Sequence, residues 1–119
     1  MKYISTRGQT APKTFSEVLL MGLAPDGGLM MPEEYPAVSE TMLERWRGLS
    51  YADLAFEVIR LFATDIPEND LRAIINKSYT AEAFGSDDIT PVRSLKDGIK
   101  IQALSNGPTL AFKDMAMQF

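Results

Sequence analysis

Lysines, carboxylates and hydroxyls are the groups left to do chemistry in this sequence, because it contains no His and no Cys. Thiol nucleophiles, disulfides and imidazole bases are excluded, and no metal site is expected. Among the lysines, Lys113 has the most pointed setting. The run Leu104-Ser105-Asn106-Gly107-Pro108-Thr109-Leu110-Ala111-Phe112-Lys113-Asp114 reads as a strand, a Gly-Pro turn, and an apolar triplet that delivers one lysine to a helix start. Apolar neighbours and a helix N-terminus both disfavour an ammonium, so the spacing predicts a shift toward the neutral amine. A neutral amine attacks carbonyls and holds aldehyde cofactors as Schiff bases. Asp114 pulls the other way by offering a counter-charge, and the plainer reading is a surface lysine paired with Asp114 or a neighbour.

Other polar residues carry weaker signals. Ser5, Thr6 and Thr109 suit caps and turns, with Thr109 the first to consider for a ligand because of its distance from Lys113. Arg7 and Arg93 are possible anion contacts that read first as surface charges. The formal net charge of −4 conceals a gradient: residues 1–25 hold three bases and one acid, 26–90 five and thirteen, and 91–119 four and two. No stretch has the basic density of a nucleic-acid binder, although a small anion near the two basic ends is compatible with it. The longest apolar stretch, Val18 to Ala24, is too short for a membrane span, and the N-terminus lacks the pattern of a secretion signal. A cytoplasmic protein is expected.

The elements that must position Lys113 follow from local patterns. Thr14 and Glu17 are spaced as a capping box ahead of a short helix that Gly22 ends in the left-handed region. Pro25-Asp26-Gly27-Gly28 is a tight turn before a short strand at Leu29-Met30-Met31. Ser39 caps a helix bearing Met42, Leu43 and Trp46 and closed by Gly48, and Ser50 with Asp53 opens a longer one, the two forming a hairpin. Leu54, Ala55, Val58, Leu61 and Phe62 give that longer helix its buried face. Asp65 and Glu68 around Pro67 start another, burying Leu71, Ile74, Ile75 and Tyr79, and Thr80 to Asp88 reads as a loop. Asp97-Gly98 marks a hairpin with a strand over Ile99, Ile101 and Ala103, in a small sheet that could include Tyr3 and Ile4. Phe112 to Phe119 reads as a helix with Phe112, Met115, Ala116 and Phe119 on one face.

With 119 residues, 45% apolar and 24% charged, the composition is that of one ordinary folded domain. The fold class expected is α+β: a mostly helical unit with a small β-sheet. An apolar helical face still running at Phe119 suggests a piece of something longer, with Met115, Met117 and Phe119 exposed and self-association as a consequence.

Three segments in order resemble one family. SNGPTLAFKD is similar to the cofactor-lysine segment of threonine synthases, a pyridoxal-phosphate family whose pattern here is Gly-Pro-Thr-x-Ala-Phe-Lys-Asp; Gly107, Pro108, Thr109, Ala111, Phe112, Lys113 and Asp114 all match. Tyr3-Ile4-Ser5-Thr6-Arg7-Gly8 and Gly22-Leu23-Ala24-Pro25-Asp26-Gly27-Gly28-Leu29, followed by Met30, Met31 and Pro32, resemble the same family's start. The chain departs from the pattern at Ala103-Leu104-Ser105-Asn106, where the family often has Glu-Leu-Phe-His. Asn106 can donate a hydrogen bond but cannot titrate near neutral pH.

The resemblance implies a threonine-synthase-like N-terminal domain over 1–90 and, over 91–119, the beginning of an α/β cofactor domain of fold-type II pyridoxal enzymes. It implies that Lys113 is both the catalytic and the cofactor-binding residue, with Asn106 and Thr109 on the substrate side. The implied cofactor is pyridoxal 5′-phosphate and the implied substrate O-phosphohomoserine, turned over with water to threonine and phosphate. The remainder of the chain would supply the cofactor's phosphate cup, so these 119 residues alone are expected to be inactive. Two alternatives stand beside this: a phospholyase that eliminates phosphate and releases a keto acid, and a non-catalytic helical interaction module.

Overall fold

The structure is a computed structural model describing residues 1–119. Strand β1 (Tyr3–Ser5) pairs antiparallel with β2 (Met30–Pro32), placing Tyr3 opposite Pro32 and Ser5 opposite Met30. Lys13 extends this small sheet by exchanging two 2.9 Å backbone hydrogen bonds with Tyr3. Helix α1 (Phe15–Met21) begins with the expected capping box: Thr14 accepts from the Glu17 amide and the Glu17 carboxylate accepts from the Thr14 amide. Gly22 ends it at φ 74°, ψ −115°, so the positive φ is as expected but the ψ is not that of the left-handed helix.

Ser39 caps α2 (Glu40–Trp46), and Ser50 caps α3 (Tyr51–Ile59) by accepting from the Asp53 amide. Helix α4 (Glu68–Ser78) follows Pro67, whose missing N–H costs nothing where the first-turn donors have no helical partner. Asp65, expected to help start α4, instead accepts from the Ser16 amide at 3.1 Å and so caps α1 from across the chain. One hydrophobic core gathers Phe56, Ala63, Leu71, Ile75, Tyr79, Phe84 and Ile89.

Several expectations are corrected. Helix α3 packs on α4 and does not form a hairpin with α2. It also stops at Ile59, leaving Leu61 and Phe62 in the following turn, and the side chain it buries is Phe56. Asp53, Glu57 and Arg60 form a polar stripe on α3 and leave a broad apolar arc with Phe56 at its edge, and the contact with α4 is what selects Phe56 from that arc. The guanidinium of Arg72 lies 3.8 Å over the Phe56 ring and bonds Asp53 at 3.0 Å, which closes that side. The opposite side, with Val58 and Ile59, lines an open apolar groove of about 430 Å³ together with Tyr3, Phe15, Tyr79 and Phe119. In α4, Leu71, Ile75 and Tyr79 are buried as expected, whereas Ile74 is exposed. Thr80–Asp88 is not simply a loop: Thr80 caps a one-turn helix α5 (Ala81–Phe84) that drives Phe84 into the core.

A second two-stranded sheet follows. Strand β3 (Val92–Ser94) pairs antiparallel with β4 (Lys100–Gln102) across a 3₁₀ turn at Lys96–Gly98, where Asp97 takes φ 60°. The Asp97-Gly98 hairpin is borne out, but β1 belongs to the other sheet. The last helix is one turn, α6 (Asp114–Met117), not a helix from Phe112. Phe112 is therefore not on a common face with Met115 and Phe119. Met115 and Phe119 pack against the core, with the Phe119 ring 6.5 Å from that of Phe15, so of the three side chains expected to be exposed only Met117 is. No helix is long and apolar enough to cross a membrane.

Candidate functional site around Lys113

Residues 106–114 form a compact arc leading into α6. Asn106 starts it: its side-chain amide donates to the carbonyls of Phe84 (2.6 Å) and Ile89 (2.8 Å), while its Oδ1 is buried without a partner. Ile89 sits at φ 58°, a conformation that costs a β-branched residue, and Asn106 is one of the groups holding it there. Gly107 packs so closely on Asp114 that an added Cβ would lie 2.6 Å from Asp114 Cβ. The Leu110 amide donates back to Gly107 O, and Leu110 itself takes φ 55°. The arc is thus a tight, partly strained turn that ends by presenting Lys113.

Lys113 is exposed and forms no ion pair. The apolar triplet does not bury it, because Leu110 and Phe112 are themselves 75% and 67% exposed. The expectation of a lysine in an apolar setting is corrected to that extent, and so is the pairing with Asp114. Asp114 is 1% exposed and faces inward, accepting from the Thr109 amide at 2.9 Å and from the Thr109 hydroxyl at 2.8 Å. Burial pushes its carboxyl pKa up, but the hydrogen bonds from the Thr109 hydroxyl and amide outweigh this and leave it below the usual carboxylate range.

The groove described above lies to one side of this arc and is lined wholly by apolar residues. The Tyr3 hydroxyl donates to Phe62 O and that of Tyr79 to Met115 O, so neither is free for chemistry. No group of His, Cys, Asp or Glu side chains could hold a metal ion. An exposed primary amine without a carboxylate partner is the donor that an aldehyde cofactor requires, so Lys113 fits such a group.

The residues at the start of the chain form a separate cluster that sequence reasoning treated as a turn only. Asp26 accepts from Ser5 Oγ (2.7 Å) and from the amides of Gly28 (2.9 Å) and Gln9 (3.0 Å), and Thr6 Oγ1 accepts from the Leu29 amide. Arg7 donates to Asp26 O at 3.0 Å. Ser5 and Thr6 therefore make turn hydrogen bonds, the plainer of their two readings. The signal that could have revealed the cluster is Asp two residues before Gly, an Asx-type turn.

Residues 2–79 match the family described as threonine synthase N terminus. The chain belongs to the threonine synthase family. Threonine synthase of Methylobacillus glycogenes is 53% identical over 99% of this chain and 26% of its own length, and that of Corynebacterium glutamicum 52% over 99% and 26%. The crystal structure of threonine synthase from Brucella melitensis, bound to pyridoxal phosphate, is similar with a TM-score of 0.92 at 40% identity, covering 98% of this chain and 25% of that one. The chain thus spans about a quarter of the length of the threonine synthases it matches.

Proposed function

We propose that this chain serves as the N-terminal part of a threonine synthase that converts O-phospho-L-homoserine and water to L-threonine and phosphate. Lys113 is its catalytic and cofactor-binding residue; Asn106 and Thr109 are the substrate-side candidates, although their side-chain donors are engaged here by the Phe84 and Ile89 carbonyls and by Asp114. The observation that carries this reading is an unpaired, exposed amine presented by a tight turn in a chain of the threonine synthase family. In the same reading residues 1–90 are the N-terminal domain and 91–119 the beginning of the cofactor domain, which agrees with a β3–β4 hairpin that buries none of its side chains.

Pyridoxal 5′-phosphate, when bound, would supply the electron sink for negative charge developing at the carbon that bears the amino group. Lys113 would hold it, and its amine when free would move protons at Cα and Cβ. The turn's share is to keep that amine within reach of both carbons. In this reading the cofactor's phosphate is held by the remainder of the protein, and the 119 residues alone are expected to show no turnover.

The test is threonine formation from O-phosphohomoserine by the full-length protein and by its Lys113→Ala variant. Abolished turnover with unchanged melting temperature is expected, since Lys113 is exposed. Undiminished threonine production by the variant would sink the assignment of Lys113, whereas no threonine from the unaltered protein would favour the non-catalytic module. The departure at Ala103–Asn106 favours one second reading, a phospholyase, and 2-oxobutyrate appearing without threonine would decide for it.

A further inference from the structure

Asp114 adjoins Lys113 in sequence, yet the two side chains are on opposite sides of the backbone: the carboxylate is 1% exposed and the ammonium is exposed without an ion pair. The carboxylate's strongest hydrogen bonds are directed at the turn before the lysine. Its two oxygens take the amide and the hydroxyl of Thr109, at 2.9 Å and 2.8 Å, and its Cβ and Oδ2 stand where a Gly107 side chain would be. Leu110, between them, is held at φ 55°, a conformation that a free chain would seldom keep.

We propose that Asp114 is a positioning residue for Lys113, a buried clamp that fixes the 107–113 turn through Thr109 and Gly107 and so sets the direction in which the lysine amine projects. The inference rests on the reading of Lys113 as the cofactor lysine. It differs from a counter-charge role in a way that substitution can read. In Asp114→Asn the side chain keeps its shape; Oδ1 can accept from the Thr109 amide while Nδ2 donates to a Thr109 hydroxyl turned to accept. A clamp survives that change and a counter-charge does not. Asp114→Ala removes both acceptors, and Gly107→Ala forces the turn off the clamp without altering the carboxylate.

The experiment compares the full-length protein with Asp114→Asn, Asp114→Ala and Gly107→Ala in two measurements. The first is amide hydrogen exchange over residues 109–113. The second is the share of borohydride-trapped pyridoxal phosphate found on Lys113 against the other lysines. Asp114→Ala and Gly107→Ala should speed exchange in this segment on the order of ten-fold while α3 and α4 stay protected, and should spread the label to other lysines. Asp114→Asn should keep slow exchange and Lys113-selective labelling. Slow exchange persisting in Asp114→Ala, or Asp114→Asn loosening as much as Asp114→Ala, would overturn the clamp. Should Asp114→Ala fail to fold, Gly107→Ala makes the same decision from the other side of the contact. Absence of label on Lys113 in the unaltered protein would overturn the cofactor reading instead, and the exchange data would still decide whether Asp114 holds the turn.

Discussion

The seven core side chains all come from residues 56–89, whereas the β3–β4 hairpin buries none of the side chains on either strand. The difference lies in how each region obtains its stability. The helices have local caps at Thr14, Ser39, Ser50 and Thr80, and α3 and α4 cover one another's apolar sides. An isolated two-stranded hairpin in water is marginal, and a sheet needs a packed layer on at least one face. Val92, Leu95, Ile99 and Ile101 are all exposed, so the hairpin has the composition of a layered sheet without the layer. The lysine arc stands between these regimes: Asn106 ties its beginning to α5 and to Ile89, and Asp114 ties its end to its own turn.

Paired truncations should expose the contrast most strongly. Phe84 is 0% exposed and touches the heart of the core, so Phe84→Ala should cost about 3–5 kcal/mol. Ile101, 51% exposed, should cost no more than about 0.5 kcal/mol as Ile101→Ala. Urea denaturation read by circular dichroism gives both values. A comparable cost at the two positions would mean that the hairpin is covered in solution, and the contrast between the regions would have to be withdrawn.

A smaller effect separates two glycines. At Gly28 an added Cβ would overlap the buried Ser5 hydroxyl and reach the Asp26 carboxylate, and at Gly107 it would overlap Asp114. Each is an overpacking of about 1–3 kcal/mol locally. Because Gly28 belongs to the cluster that joins both strands of the first sheet, Gly28→Ala should lower the melting temperature of the whole molecule. Gly107→Ala should leave it nearly unchanged and disturb the lysine arc. Equal melting shifts for the two variants would show the arc to be part of the cooperative core.

How much of this was legible in the sequence follows the same division. Caps at Thr14, Ser39 and Ser50 were readable because a hydroxyl and an amide three residues on are enough to define them. The buried face of α3 was not, since its apolar arc is broad, Phe56 lies at the edge of it beside Asp53 and Glu57, and only contact with α4 selects that side chain. Helix α5 was hidden in a polar stretch because a single turn has no period to detect, although Thr80 and Gly85 could have flagged its two ends. At the site, Lys113 stood out by its flanking turn and triplet. Asp114 was misread as a counter-charge because adjacency in sequence says nothing about which side of the backbone a side chain takes. Chain reversal at Gly107-Pro108 turns it inward to Thr109.

The smallest expected signal is in acid, and it tests whether the cluster at the start of the chain contributes to the stability of the first region. Burial raises the affinity of the Asp26 carboxyl for a proton, but hydrogen bonds from the Ser5 hydroxyl and the Gly28 and Gln9 amides outweigh it and bring the pKa to about 2, from an ordinary 3.8. The folded state therefore holds its proton less tightly than the unfolded chain. The stabilisation from this group is present in full above about pH 4 and disappears as the pH falls through about 2. An Asp26→Asn variant lacks the titration altogether. Glu17, Asp53, Asp65 and Asp114 also have lowered pKa values, but they titrate in both chains and cancel in the difference. Melting temperatures measured from pH 6 down to pH 2 should thus show the unaltered protein above the variant at the upper end, with the gap closing on acidification. A gap that stays constant to pH 2 would mean that ionisation of Asp26 contributes nothing, leaving the first sheet without the electrostatic latch that distinguishes it from the β3–β4 hairpin.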